Sequence, residues 1–138
     1  MSTADNKRIV HAIFEERAKG NGQPFRDAMA DDIIWNIIGT TRWSGTYRGK
    51  EAVMNNLIRP LFAQFADQYT STAQRLVAED DIVVVETRGR VTTKSGKPYN
   101  NTYCFIFRLA NGRIAEITEY CDTALIESAL EAPVLAGG

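Results

Sequence analysis

The hydrophobic positions of this chain recur first at helical spacing and then at strand spacing. Ile9, Val10, Ile13 and Phe14 follow a Ser2-Thr3 cap and predict a first helix from about Ala4 to Lys19. Gly20-Asn21-Gly22 ends it, and Pro24 suits the first turn of a short second helix, Gln23 to Ala30, with Phe25, Ala28 and Met29 turned inward. Asp31-Asp32 breaks that helix, Ile33 to Ile38 reads as a strand, and GTTRWSGTYRG, Gly39 to Gly49, reads as a loop. Val53, Met54, Leu57, Ile58, Leu61, Phe62 and Phe65 form one broad face and predict a third helix, Lys50 to Ala66, kinked at Pro60. From there the pattern is β. Strands are expected at Tyr69 to Val77 and Ile82 to Thr93, with turns at Glu79-Asp80-Asp81 and Lys94 to Pro98. A long hairpin spans Tyr99 to Thr123, and Asp122 caps a last helix, Thr123 to Ala132. Leu135-Ala136-Gly137-Gly138 is expected to fray.

Helices followed by strands imply an α+β fold, with helices packed on one face of an antiparallel sheet. The 138 residues suit one domain that needs no disulfide or metal to hold its core. A net charge of −1 excludes the basic footprint of a nucleic-acid or anionic-lipid binder. No apolar run approaches the ~20 residues of a membrane span, and MSTADNKR has no signal-peptide core, so the expected location is the cytoplasm. With Cys104, Cys121 and His11 as the only cysteines and histidine, a closed zinc site lacks ligands; no metal and no cofactor are expected.

Parity along the strands decides what a pocket would contain. A three-residue loop, Ala110-Asn111-Gly112, sets Tyr103 opposite Glu119, Phe105 opposite Ile117 and Phe107 opposite Ala115. A two-residue Asn-Gly turn would instead bring Glu119 opposite Cys104. The first register is preferred because it gathers three rings on one wall with the acid among them, and it turns the two cysteines to opposite faces. On the preceding strand, Val83, Val85, Thr87 and Val91 form an uncharged face that suits a contact between subunits. Ile82, Val84, Glu86, Arg88 and Arg90 form the other, apolar at its start and charged at its end, as expected of a strand running toward a pocket mouth. Trp43 and Tyr47 either cover that mouth or bury themselves against a second subunit.

The order of elements, with WSGTYRGKEAV leading into the long helix and NGRIAEITEYCD as last turn and strand, resembles the SnoaL-like polyketide cyclases. These belong to the nuclear-transport-factor-2-like superfamily, with ketosteroid isomerase, scytalone dehydratase and limonene-1,2-epoxide hydrolase. The resemblance spans nearly the whole chain, 1–138, as one SnoaL-like domain. It implies a cone-shaped curved sheet with N-terminal helices on its concave face, a conical cavity there, and a homodimer formed through the convex face. In the epoxide hydrolase an arginine and two aspartates act with a tyrosine and an asparagine. Glu119 matches the last-strand aspartate, Glu86 and Arg88 fall near the other charged pair in swapped order, Trp35 stands at the tyrosine, and Asn36 or Ile37 at the asparagine. Phe14 replaces the helix tyrosine of ketosteroid isomerase, and His11 alone cannot supply the histidines of scytalone dehydratase.

Burial on an apolar wall would raise the pKa of Glu119 toward the range useful for general acid–base work. Arg88 would bind an oxyanion, and Glu86 would hold Arg88 or act as a second acid; the competing reading is a structural Glu–Arg network at a sheet end. Trp35, Trp43, Tyr47, Tyr103, Phe105 and Asn36 are the candidate substrate contacts, against ordinary core packing for any one ring. The leading expectation is a cofactor-independent enzyme, of isomerase, cyclase, dehydratase or hydrolase type, acting on a hydrophobic small molecule. The alternative is a non-catalytic ligand-binding or accessory dimer of the same fold.

Overall fold

The helical and strand periods resolve into short helices laid against one curved six-stranded sheet. The computed structural model describes residues 1–135. Its helices are α1 (Thr3–Arg17), α2 (Gln23–Ala28), α3 (Lys50–Ala52), α4 (Arg59–Phe62) and α5 (Thr123–Ala129), with a π-helical turn (Val53–Ile58) between α3 and α4. Its strands are β1 (Met29–Ile37), β2 (Gly45–Arg48), β3 (Thr70–Glu79), β4 (Ile82–Arg90), β5 (Thr102–Ala110) and β6 (Arg113–Cys121). The expected fraying at Ala136-Gly137-Gly138 lies outside the described residues.

Ser2 caps α1 as its position suggests, closing a capping box in which Asp5 N donates to Ser2 Oγ and Ser2 N to the Asp5 carboxylate, each at 3.1 Å. Strand β1 begins at Met29, earlier than the Asp31-Asp32 break suggests: both aspartates are exposed, and the irregular pairing between Met29 and Ile34 leaves them in water while the strand continues. The GTTRWSGTYRG loop contains β2, which pairs antiparallel with β1 and sets Tyr47 opposite Trp35. The third helix is shorter than its apolar face and ends at Phe62. In place of a simple kink, the π-helical turn lies just before Pro60, whose ring cannot sit beneath an i−4 carbonyl.

The sheet order is β2-β1-β6-β5-β4-β3. All neighbours are antiparallel except β1 and β6, so the strand from the helical half of the chain lies parallel to the last one. The hairpin follows neither expected register. Asn111 and Gly112 both take positive φ, 52° and 76°, and make a two-residue turn with Ala110 opposite Arg113. Ala115 is then an extra residue on β6, so the register shifts and Phe105 faces Glu119 while Phe107 faces Ile117. The bulge restores the parity that the tight turn alone would have reversed. Glu119 therefore shares the face of the three rings, but opposite Phe105 and not Tyr103.

Two rows of side chains cross the concave face. One runs Val83, Phe107, Ile117, Trp35; the next runs Val85, Phe105, Glu119, Ile37. Phe14 of α1 and Phe25 of α2 cover them, with ring centroids 5.9 and 6.2 Å from Phe107. This overturns the assignment of the β4 faces. Val83, Val85, Thr87 and Val91 are buried in the core of the same chain, so they offer no surface to a second subunit. An uncharged face is what the core requires, and the mixed face of Ile82, Val84, Glu86, Arg88 and Arg90 is the convex one.

Candidate active site

Between the concave face and the helices lies a cavity of about 320 Å³. Its floor is Trp35, Ile37, Phe105, Tyr103 and Glu119; its roof is Leu57 and Ile58 of the π-helical turn with Leu61 and Phe62 of α4. Tyr69 and Tyr99 close one side, Trp43, Ile126 and Leu130 another. Arg17, the Gly20-Asn21-Gly22 turn, Phe25 and Arg26 complete the lining.

Glu119 is the acid of this cavity, 6% exposed. Trp35 Nε1 donates to its Oε1 at 3.2 Å. Burial raises its pKa from 4.5 to about 7, against the opposing pull of hydrogen bonds from Trp35 and Cys121 and of the positive charge on Arg17. The Cys121 thiol is itself pushed up to about 12, chiefly by burial and then by the Glu119 charge, so it is an inert thiol. Cys104 and Cys121 are both free.

Arg17 is the residue that the sequence reading missed. It lies at the C-terminal end of α1, 8% exposed, with its guanidinium carbon 4.4 Å from the Phe25 centroid, 5.3 Å from Phe14 and 5.8 Å from Tyr69. The rings and the helix terminus favour a cation there. Its Nη1 has no hydrogen-bond partner among the described residues. Burial, more than any neighbour, disfavours its charged form. The signal was available: Arg17 continues the Val10, Ile13, Phe14 stripe at helical spacing, so a charge was being placed on the core face of α1.

Three tyrosines form the polar flank of the cavity. Tyr103 donates to Tyr99 Oη at 3.2 Å, and Asn101 Nδ2 donates to the same oxygen at 3.1 Å. Asn101 also bridges the backbone of Asp122, so the flank is fixed to the N-cap of α5. Burial raises the pKa of Tyr69, Tyr99 and Tyr103, which keeps these hydroxyls protonated as donors. Gly89 makes room for them: a Cβ there would stand 2.7 Å from Tyr69 Oη and 3.2 Å from the Tyr103 ring.

The structure brings Glu119, Trp35, Trp43, Tyr103 and Phe105 to one cavity. Trp43 is buried within its own chain, held by Nε1 donating to Glu131 O at 2.9 Å. Tyr47 abuts the wall without lining it; its hydroxyl donates to Trp43 O at 2.7 Å and fixes that loop. Glu86, Arg88 and Asn36 are not part of the site. Glu86 and Arg88 lie on the convex face because their parity on β4 is opposite to that of Val85 and Thr87, which face the rings. There Glu86 pairs with Arg75, and Arg88 is exposed. Asn36 alternates with Trp35 and accepts a hydrogen bond from Thr46 Oγ1 at 2.6 Å on the outer side. His11 is on the surface, 2.9 Å from Glu15.

A family model described as a SnoaL-like domain matches residues 10–117, and the chain belongs to that family. The search of curated proteins gave no match. Among solved structures, the chain is similar to a nuclear-transport-factor-2-like protein from Burkholderia thailandensis, with 23% identity, TM-score 0.78, and 95% of this chain and 99% of that one covered. It is also similar to a putative SnoaL-like polyketide cyclase from Jannaschia sp. CCS1, with 20% identity, TM-score 0.75, and 96% and 95% covered. An LEH-like epoxide hydrolase of M. tuberculosis aligns at 18% identity and TM-score 0.67, with 88% and 86% covered. At these identities the likeness establishes the fold alone.

Proposed function

We propose that this protein is a cofactor-independent enzyme that moves a proton on a hydrophobic small molecule, with Glu119 as the proton carrier. The supporting observation is a carboxyl group buried on an apolar wall of the cavity, held by Trp35 Nε1 and poised at a pKa of about 7. A carboxyl so placed gives up and takes back a proton near neutral pH with little driving force lost in either direction. Trp35 fixes one carboxyl oxygen of a residue that lines the cavity. The rings of Phe105 and Tyr103, stacked with centroids 5.1 Å apart, give the substrate a flat apolar bed beside it. Isomerisation, cyclisation, dehydration and hydrolysis share this proton-transfer step.

The test is a screen of apolar ketones, β-hydroxy carbonyl compounds and epoxides, followed by Glu119→Gln on whatever substrate is turned over. The amide keeps the shape and loses the proton, so kcat should fall by about 10²- to 10⁴-fold. An unchanged kcat would remove Glu119 from the chemistry. A cavity that binds these compounds and turns over none of them would favour the accessory-protein alternative. Pairing of two copies through the convex face is also proposed, now on the row Val77, Val84 and Ile106 with Tyr120 nearby. Light scattering that shows a monomer at micromolar concentration would remove it.

A further inference from the structure

We infer that the ligand of this cavity carries a carboxylate, and that Arg17 is the residue that receives it. That this ligand is a substrate rests on the acid–base reading above; that it binds at Arg17 does not. Arg17 is more than nine-tenths buried, lines the cavity, and has an unpaired Nη1 among the described residues. A buried guanidinium is costly unless something answers its charge and its donors. The rings of Phe14, Phe25 and Tyr69 lie 5.3, 4.4 and 5.8 Å from its guanidinium carbon, but no acceptor among the described residues meets its buried Nη1.

The neighbouring charges sharpen the point. Arg26 lines the same side of the cavity, and its positive charge adds to the disfavour of the Arg17 cation. Arg26 lies against the Gly20-Asn21-Gly22 turn: a Cβ on Gly22 would stand 2.8 Å from its Nη1. Arg26 donates to Gln23 Oε1 at 2.9 Å, and among the described residues no carboxylate forms an ion pair with Arg17 or Arg26. Glu119 attracts Arg17 but forms no ion pair with it, and near neutral pH it is only partly ionised. The cavity thus has a cationic end and a carboxyl on its apolar floor. A small molecule with a carboxylate head and an apolar body matches that polarity. Its head would accept N–H donors from Arg17, and its body would lie on Phe105 and Trp35 within reach of Glu119.

The probe pair is 2-naphthoate and its neutral isostere 2-naphthamide, with binding read by quenching of Trp35 and Trp43 fluorescence and by calorimetry. Wild-type protein should prefer the carboxylate by roughly 10- to 100-fold. Arg17→Met keeps the apolar stem and should remove that preference without weakening the amide; Arg17→Lys should retain part of it. Because the guanidinium makes no ion pair, Arg17→Met should remain folded by circular dichroism. If it does not, the wild-type carboxylate/amide ratio and Arg17→Lys still decide. Equal affinity of the two probes for wild-type protein overturns the inference. So does undiminished naphthoate binding by folded Arg17→Met, or no binding of benzoate, naphthoate, cinnamate or octanoate. Glu119→Gln should bind naphthoate at least as well as wild type. If that variant also keeps full turnover of a substrate, the proton-transfer reading fails while the carboxylate site stands.

Discussion

The two faces of the sheet use the same pair of residue types to opposite effect. On the convex face, Arg75 meets Glu86 and Arg108 meets Glu116 as ion pairs on neighbouring strands, with each side chain at least 39% exposed. On the concave side, Glu119 of the sheet and Arg17 of the covering helix α1 are both buried, share one cavity, and form no ion pair. Water and close pairing satisfy the first set, so its charges carry little free energy and little chemistry. Burial without pairing holds the second set away from its preferred states, which is the condition that makes a carboxyl exchange protons near neutral pH and a guanidinium seek an anion.

The two faces should differ most in activity. Glu119→Gln should lower kcat by about 10²- to 10⁴-fold, whereas Glu86→Gln, removing the convex-face acid, should leave kcat within about twofold. Steady-state kinetics on one substrate with both variants checks this. Stability gives the next largest contrast. Below pH 4.5 Glu119 is protonated in both folded and unfolded chains and contributes nothing to the difference between them. Between 4.5 and about 7 the unfolded chain has released this proton while the folded chain retains it, so stability falls as pH rises. Above about 7 the folded state carries the full penalty of the raised pKa, about 3 kcal/mol. Urea unfolding of wild type and Glu119→Gln across this range should show that slope only in the wild type. The smallest effect belongs to the convex face: a double-mutant cycle on Arg75 and Glu86 should give a coupling of about 1 kcal/mol or less, weakened further by salt.

Much of this contrast was legible in the residues, and the misplaced parts have physical causes. Helix starts and ends were visible where a side chain or a glycine makes them: Ser2, the Gly20 turn, Asp122. The parity of Glu119 with Phe105 and Phe107 was also readable, since one face of the hairpin had to hold the rings. Its register was not, because a two-residue turn and the bulge at Ala115 offset each other in parity and leave no mark on the alternation. The faces of β4 were inverted because a gradient from apolar to charged was read as the approach to a pocket. A convex face with aliphatic residues at one end and arginines at the other has the same pattern. Arg17 was passed over because a basic residue in the last turn of a helix is ordinary. Its position on the apolar stripe was the informative fact, and it is also what puts a cation into the same cavity as the acid.

The ionisation state of one carboxyl group decides whether the cavity is built for proton transfer. Carbon-13 NMR of the Glu119 side-chain carboxyl, followed from about pH 3 to 9, reads it without a substrate. The expected midpoint is about 7, moving higher in Trp35→Phe, which lacks the indole N–H that favours the ionised form. A midpoint near 4.5, unmoved by Trp35→Phe, would show an ordinary solvated acid and would contradict the proposed role of the cavity.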